Sequence, residues 1–364
     1  SPQAFYKSMN WLDSSTDSYS LDKRRLGFSS LKFALLRVFL FRRKFIIMSK
    51  QFKLFSNIMI IIAASMWGID GVLLTPSYFS TFHFYNVDII VFIAHFIPFL
   101  VLNIFLFKKY KYLKVFTASD FTYFLLIAVF GGVIGTLSMV KALQLSQFSQ
   151  YSVVILLQKL QPIFAIFLAS ILLKEKPTKK FYIVAVIAIL SSYVLAFGLK
   201  SPSLLENNNI KACLFSLLAA FSFGSSTVFG RKVLNKYDFS TSTFYRFTFT
   251  SIIMFVIILI KGETHLIGTF VSNKSMFSLA LFIAFFGLLA VFTYYYGLKG
   301  TTASTATLCE LAFPLTSVIL EGVLRHRVLS FVQIIAAVIL ISAILYLNMS
   351  KADIEEIDKF ETNQ

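Results

Sequence analysis

Charge is what this chain has little of. Only 14% of its 364 residues are Asp, Glu, Lys or Arg, against about one quarter in a soluble domain. That excludes the two or three soluble domains a chain of this length would otherwise form, because so few charges leave their surfaces uncovered. Cysteine is equally sparse. Cys213 and Cys309 both lie in or beside apolar stretches, with no Cys-x-x-Cys partner and no metal-ligand spacing, so they read as inert buried thiols. The chain also lacks His-Glu-x-x-His, Gly-x-Ser-x-Gly, a Gly-rich phosphate loop and paired carboxylates with a base. We therefore expect no enzyme, no cofactor and no metal. Without a Walker motif, ATP does not drive it.

What is present is hydrocarbon. Hydrophobic residues make up 57%, Phe alone supplies 43 positions, and the mean hydropathy is +0.77. Ten apolar runs span 54–74, 87–107, 119–140, 149–173, 180–199, 209–230, 240–261, 276–297, 302–323 and 329–348. Each is near the ~20 residues that cross a bilayer. Backbone groups in lipid must be satisfied within the segment, so the runs are expected to be helices. The fold class read from this is an all-α integral membrane protein of ten transmembrane helices. Residues 1–47 differ: Ser-rich, then basic and apolar. They read as a dispensable or non-native extension before Met48, or as an amphipathic surface helix. Residues 351–364 read as a polar cytoplasmic tail.

The net charge of +17 sits between the runs, where it marks topology and lipid contact rather than nucleic acid. Sixteen Lys and Arg lie on one side of the ten-run alternation and seven on the other. That predicts a multi-pass protein of the cell (plasma or inner) membrane with both termini cytoplasmic.

Two stretches repeat. Ala142–Thr178 and Gly297–Ser330 each run from a small residue and Leu, through a Ser/Thr-rich linker, into a helix interrupted by Pro162 or Pro314. The unit is five helices, 48–199 and 200–350. An odd number of crossings inverts the second copy. That is the plan of secondary transporters, with a substrate site near the midplane.

Short motifs along this plan resemble those of the drug/metabolite transporter superfamily, the EamA-type ten-helix carriers. They are "MWG" at Met66–Gly68, "YRF" at Tyr245–Phe247, "QPIFAIFLASILLKE" at Gln161–Glu175 and "ELAFPLTSVIL" at Glu310–Leu320. The resemblance implies a small-molecule secondary transporter, chiefly an exporter, working by alternating access. Two departures stand out: His95 where the first repeat often has arginine, and Arg325–Arg327 where the second repeat would close on glutamate.

Polar residues inside the runs are the candidate site. Lys159 and Glu310 precede the two prolines by three and four residues; an unpaired charge there is costly, so they are expected to face each other, as a site or as a structural pair. Each proline is expected to free a carbonyl four residues back, at Gln158 and Glu310. Thr307, Glu310, Pro314, Ser317 and Glu321 share one face, with Glu321 reaching Arg325. Arg246 either lines the pore or snorkels. His95 is more often a packing residue than a ligand. Trp67 shares a face with Asp70. Tyr294 either lines the pore or joins an interfacial belt. Glu175, among lysines, reads as a solvated turn. Gly131 and Gly135 read as a close-packing pair. An amino-acid-like substrate would match Lys159 and Glu310, and a proton-coupled cycle is a further expectation. A multidrug or nucleotide-sugar-type carrier, or a non-transporting membrane enzyme or scaffold, is the alternative. Oligomeric state is left open.

Overall fold

All ten apolar runs contain helix in the structure, a computed structural model that describes residues 51–75, 86–145, 158, 160–197, 209–324 and 330–349. The helices are α1 Gln51–Leu74, α2 Val87–Leu106, α3 Ala118–Leu145, α4 Gln161–Leu172, α5 Lys179–Phe197, α6 Asn209–Leu234, α7 Phe239–Lys261, α8 Lys274–Lys299, α9 Ala303–Leu324 and α10 Phe331–Met349. A short helix, Thr264–Ser272, joins α7 to α8. Among the described residues there is no strand, and seven helices are long and apolar enough to cross a membrane, with α4 and the apolar part of α10 shorter. Residues 1–50 and 350–364, including the proposed extension and tail, lie outside the described residues.

Local sequence sets the ends. Asn86, Thr117, Asp238 and Asn273 each stand just before a helix, and their side chains accept a backbone N–H of its first turn. Gly262 ends α7 in the left-handed conformation, at φ 69°, which only glycine adopts without strain. Outward faces are apolar: Ile260 is 80% exposed, Phe105 75% and Phe167 67%. In water this would be a liability; against lipid it is the favourable solvent contact.

Ser and Thr are buried instead. Thr241, Thr243, Thr250, Ser216 and Ser222 are fully enclosed, as expected where helices associate through small polar residues rather than a hydrophobic driving force. Small residues also permit close approach. A Cβ added to Gly131 would strike the Ser226 hydroxyl, and one on Gly135 would meet the Phe223 ring. The predicted close-packing role of this pair is what the structure shows.

Helices in equivalent positions of the two repeats run antiparallel. At one end of α2 and α7, Asp88 pairs with Lys261 at 2.7 Å; at the other, Lys109 pairs with Asp238 at 2.8 Å. Gln333, at the start of α10, donates to the Leu195 carbonyl near the end of α5. Glu175, just past α4, bonds residues at the start of α9. Swapped pairs agree: α3 begins near the end of α6, where Lys236 and Tyr237 bond Asp120, and Gly297 in α8 packs on Ser56 in α1. The fold is a duplicated, inverted five-helix unit.

The same duplication appears at the prolines. A Cβ on Gly68 in α1 would lie 2.9 Å from the carbonyl oxygen of Phe313, the residue before Pro314. A Cβ on Gly224 in α6 would lie 2.9 Å from the carbonyl oxygen of Gln161, the residue before Pro162. Each repeat thus lays a glycine on the interrupted helix of the other.

Candidate functional site

The interrupted helices face each other. In α9 the helical ladder stops at Cys309, and Glu310 and Leu311 form a turn before Ala312. Proline at 314 cannot donate to the Glu310 carbonyl. That carbonyl is not left free, however: it accepts the Phe313 N–H at 3.0 Å. This corrects the expectation of an open carbonyl there, because a tighter turn supplies the missing donor. In α4, Pro162 occupies the first turn and Leu160 accepts the Ile163 N–H at 3.0 Å.

Between the two breaks lies a recess with a cavity volume of about 30 Å³, lined by Gln158, Gln161, Thr307 and Glu310, with Pro162, Leu311, Phe313 and Pro314 as walls. Both halves of the protein contribute. Thr307 is 1% exposed and its hydroxyl has no partner among the described residues.

Glu310 sits in a cage of neutral donors. The Tyr294 hydroxyl donates to Oε1 at 2.7 Å and Gln161 Nε2 donates to Oε2 at 2.5 Å. Thr227 stands 2.7 Å from the Tyr294 hydroxyl and 3.3 Å from Oε1. Each hydroxyl has one proton. With Tyr294 spending its proton on the carboxylate, Thr227 donates chiefly to the Tyr294 oxygen. The chain Thr227→Tyr294→Glu310 therefore fixes the carboxylate from α6 and α8 while Gln161 holds it from α4. No salt bridge to Glu310 occurs among the described residues. Its expected partner, Lys159, lies outside them.

The other candidates fall into two groups. Tyr294 is 5% exposed and bonded inward, so it is not part of an interfacial belt. Trp67 packs on its ring, with centroids 5.2 Å apart. Arg246 points inward rather than snorkelling. It donates to the Gly131 carbonyl at 3.0 Å and reaches the Ser226 and Tyr295 hydroxyls at 3.4 Å. It ties α7 to α3, α6 and α8, one residue along α6 and α8 from the groups that hold Glu310. Its face of α7 is interior, with Thr243, Thr250 and Met254 fully buried. His95 is 6% exposed, its Nδ1 lies 2.8 Å from the Val91 carbonyl and its ring packs on Phe247. Arg246 and His95 do not line the recess. Asp70 accepts a bond from Thr75 within a π-helical turn ending α1. Ser317 donates to the Phe313 carbonyl; the side chains of Glu321 and Arg325 lie outside the described ones. Among the described residues no His/Cys/Asp/Glu group suits a metal, and neither Cys213 nor Cys309 is disulfide-bonded.

Glu175 overturns its expected place in a solvated turn. It is 5% exposed and accepts the Ala303 N–H at 2.8 Å, the Ser304 N–H at 3.0 Å and the Ser304 hydroxyl. The start of α9 presents unsatisfied N–H groups, and Glu175 satisfies two of them. Gln161 and Thr227 were also missed by sequence reasoning. Gln161 adjoins Pro162 inside the quoted motif, a signal that was available; Thr227 carried none.

Residues 54–197 and 210–349 each match the EamA-like transporter family. The chain belongs to the EamA-like transporter family. The two matches coincide with the two five-helix units seen in the structure. Among relatives of this EamA-type chain, a protein named riboflavin transporter ImpX, from Fusobacterium nucleatum, is 42% identical over 291 residues, covering 79% of this chain and 95% of the relative. An uncharacterized transporter from Archaeoglobus fulgidus is 30% identical over 170 residues, covering 45% and 56%. A crystal structure titled only as that of a protein shares the fold, with a TM-score of 0.57 at 14% identity, over 81% of this chain and 96% of that one. The protein is a multi-pass membrane transporter of a small molecule.

Proposed function

We propose that this EamA-type protein carries riboflavin, or a flavin of that kind, by alternating access at the recess between α4 and α9. The observation that carries this is the 42% identity to a protein named a riboflavin transporter, over 95% of that relative's length. The chemistry is compatible. Riboflavin is uncharged near neutral pH, and its ring and hydroxylated chain present both donors and acceptors. The described partners of Glu310 are Tyr294, Gln161 and Thr227, all neutral, a setting suited to a neutral ligand that donates to a carboxylate. Pockets for ligands of this size hold roughly 300–1,000 Å³; the recess, at about 30 Å³, has to widen as the halves move to admit one.

In this reading the two inverted halves rock about the recess. Gly68 and Gly224, each against a pre-proline carbonyl, are the contacts that keep the halves close while they move. An amino-acid-like substrate would instead need the Lys159 ammonium opposite Glu310; the described side chains that donate to Glu310 are neutral. The Lys and Arg distribution supports cytoplasmic termini.

The test is counterflow in proteoliposomes. Vesicles loaded with unlabelled riboflavin accumulate labelled riboflavin if the reading holds, and load no faster than protein-free vesicles if it does not. Repeating uptake from either face, with and without a pH gradient, reads direction and proton coupling.

A further inference from the structure

The recess carries one feature that holding Glu310 in place does not use. Thr307 is 1% exposed, lines the recess, and its hydroxyl has no hydrogen-bond partner among the described residues. A buried hydroxyl left unpaired is costly, and unlike the unpaired Ser216 and Ser222 hydroxyls this one belongs to a residue of the recess. Beside it stand one carboxylate, Glu310, and two carboxamides, Gln158 and Gln161. The four side chains differ in hydrogen-bond character: the carboxylate accepts, the hydroxyl both gives and takes, and the two amides offer their carbonyl oxygens, since Gln158 Nε2 donates to Met139 and Gln161 Nε2 to Glu310. The walls between them are proline, leucine and phenylalanine.

We propose that this recess recognises a linear polyhydroxylated chain, so that the substrate enters it by its ribityl end while its ring stays outside, on the side of Trp67 and Tyr294. This rests on the flavin reading above. A polyol offers at each carbon one O–H and one acceptor oxygen, which suits a carboxylate, an unpaired hydroxyl and two amide oxygens gathered in one recess. The flavin ring confines its donors and acceptors to one edge and is otherwise a flat apolar face. It needs a flat aromatic neighbour, which the recess walls supply less well than the indole and phenol paired 5.2 Å apart next to Glu310. In the ligand-bound protein, Thr307 gains the partner it now lacks.

The experiment compares riboflavin with lumiflavin, which has the same ring but a methyl group in place of the chain, and with free ribitol. It uses the full chain in proteoliposomes and in detergent. Wild-type counterflow should be inhibited by riboflavin at least ten-fold more effectively than by lumiflavin. Thr307→Val, which keeps the shape and removes the hydroxyl, should narrow that ratio several-fold while leaving thermal stability unchanged or higher. Equal inhibition by the two flavins, or an unchanged ratio in Thr307→Val, overturns the proposal. Ribitol separates the two readings. If riboflavin counterflow is absent, yet ribitol raises the melting temperature of the wild type and not of Thr307→Val, the flavin reading falls and the polyol site stands. If ribitol raises neither and riboflavin is not carried, both fall.

Discussion

The Glu175 carboxylate accepts both the backbone N–H and the hydroxyl of Ser304, joining the end of one repeat's α4 to the start of the other repeat's α9. Burial pushes this carboxyl above the usual carboxylate range, against the pull of its Ser304 and Ala303 bonds. In Glu175→Ala the N–H groups of Ala303 and Ser304 lose their acceptor in a buried place. The expected loss is about 1–3 kcal/mol, read as a lower melting temperature in detergent. Glu175→Gln keeps one acceptor oxygen and should lose less.

Gly68 and Gly224 are expected to tolerate no side chain without a change in transport. A methyl group on either would sit 2.9 Å from a backbone oxygen, closer than carbon and oxygen pack. Gly68→Ala and Gly224→Ala should insert in the membrane, with transport reduced at least several-fold. Gly268→Ala is the control: its Cβ meets nothing within 4 Å and the residue lies within a short helix. There alanine should be neutral or stabilising by up to ~1 kcal/mol.

Tyr294→Phe removes the 2.7 Å bond to Glu310 while keeping the ring against Trp67. Thr227 then turns its proton to the carboxylate, so the loss should be partial. We expect substrate affinity to fall about ten-fold, the equivalent of ~1.4 kcal/mol. A double variant, Thr227→Val with Tyr294→Phe, should fall further than either change alone.

Acid should weaken the link between α2 and α7 in a defined direction. Burial alone would raise the Asp238 carboxyl, but bonds from Lys109, Ser240 and Thr241 outweigh it and hold the group well below the usual carboxylate range. A depressed folded value means the stabilisation is present above the unfolded value of about 3.9 and is lost as pH falls towards the folded one. The melting temperature of the wild type should therefore drop on acidification below about pH 4. Asp238→Asn should be less stable at neutral pH and show a shallower drop.

How much of this was legible follows from which forces are local. Apolar length alone located all ten helices, because a backbone in lipid has few alternatives. The prolines located both interruptions, and the odd repeat gave the inversion that Asp88–Lys261 and Lys109–Asp238 display at opposite ends of one helix pair. Glu310 stood out as an acid in an apolar run. What surrounds it was less legible. The choice of Gln161, Thr227 and Tyr294 as its described partners depends on how α4, α6 and α8 meet, which no spacing within one helix encodes. Glu175 misled because neighbouring lysines suggest water. The group that claims it, the bare N-terminus of α9, lies 128 residues away.

The most direct test of the central claim is a riboflavin-binding titration on the purified protein, wild type beside Glu310→Gln, followed by quenching of flavin fluorescence. Wild type should saturate, and Glu310→Gln, which keeps size and removes the charge that accepts the substrate's hydroxyls, should bind at least ten-fold more weakly with its melting temperature little changed. Equal dissociation constants for the two proteins would contradict a substrate site at the crossing of α4 and α9.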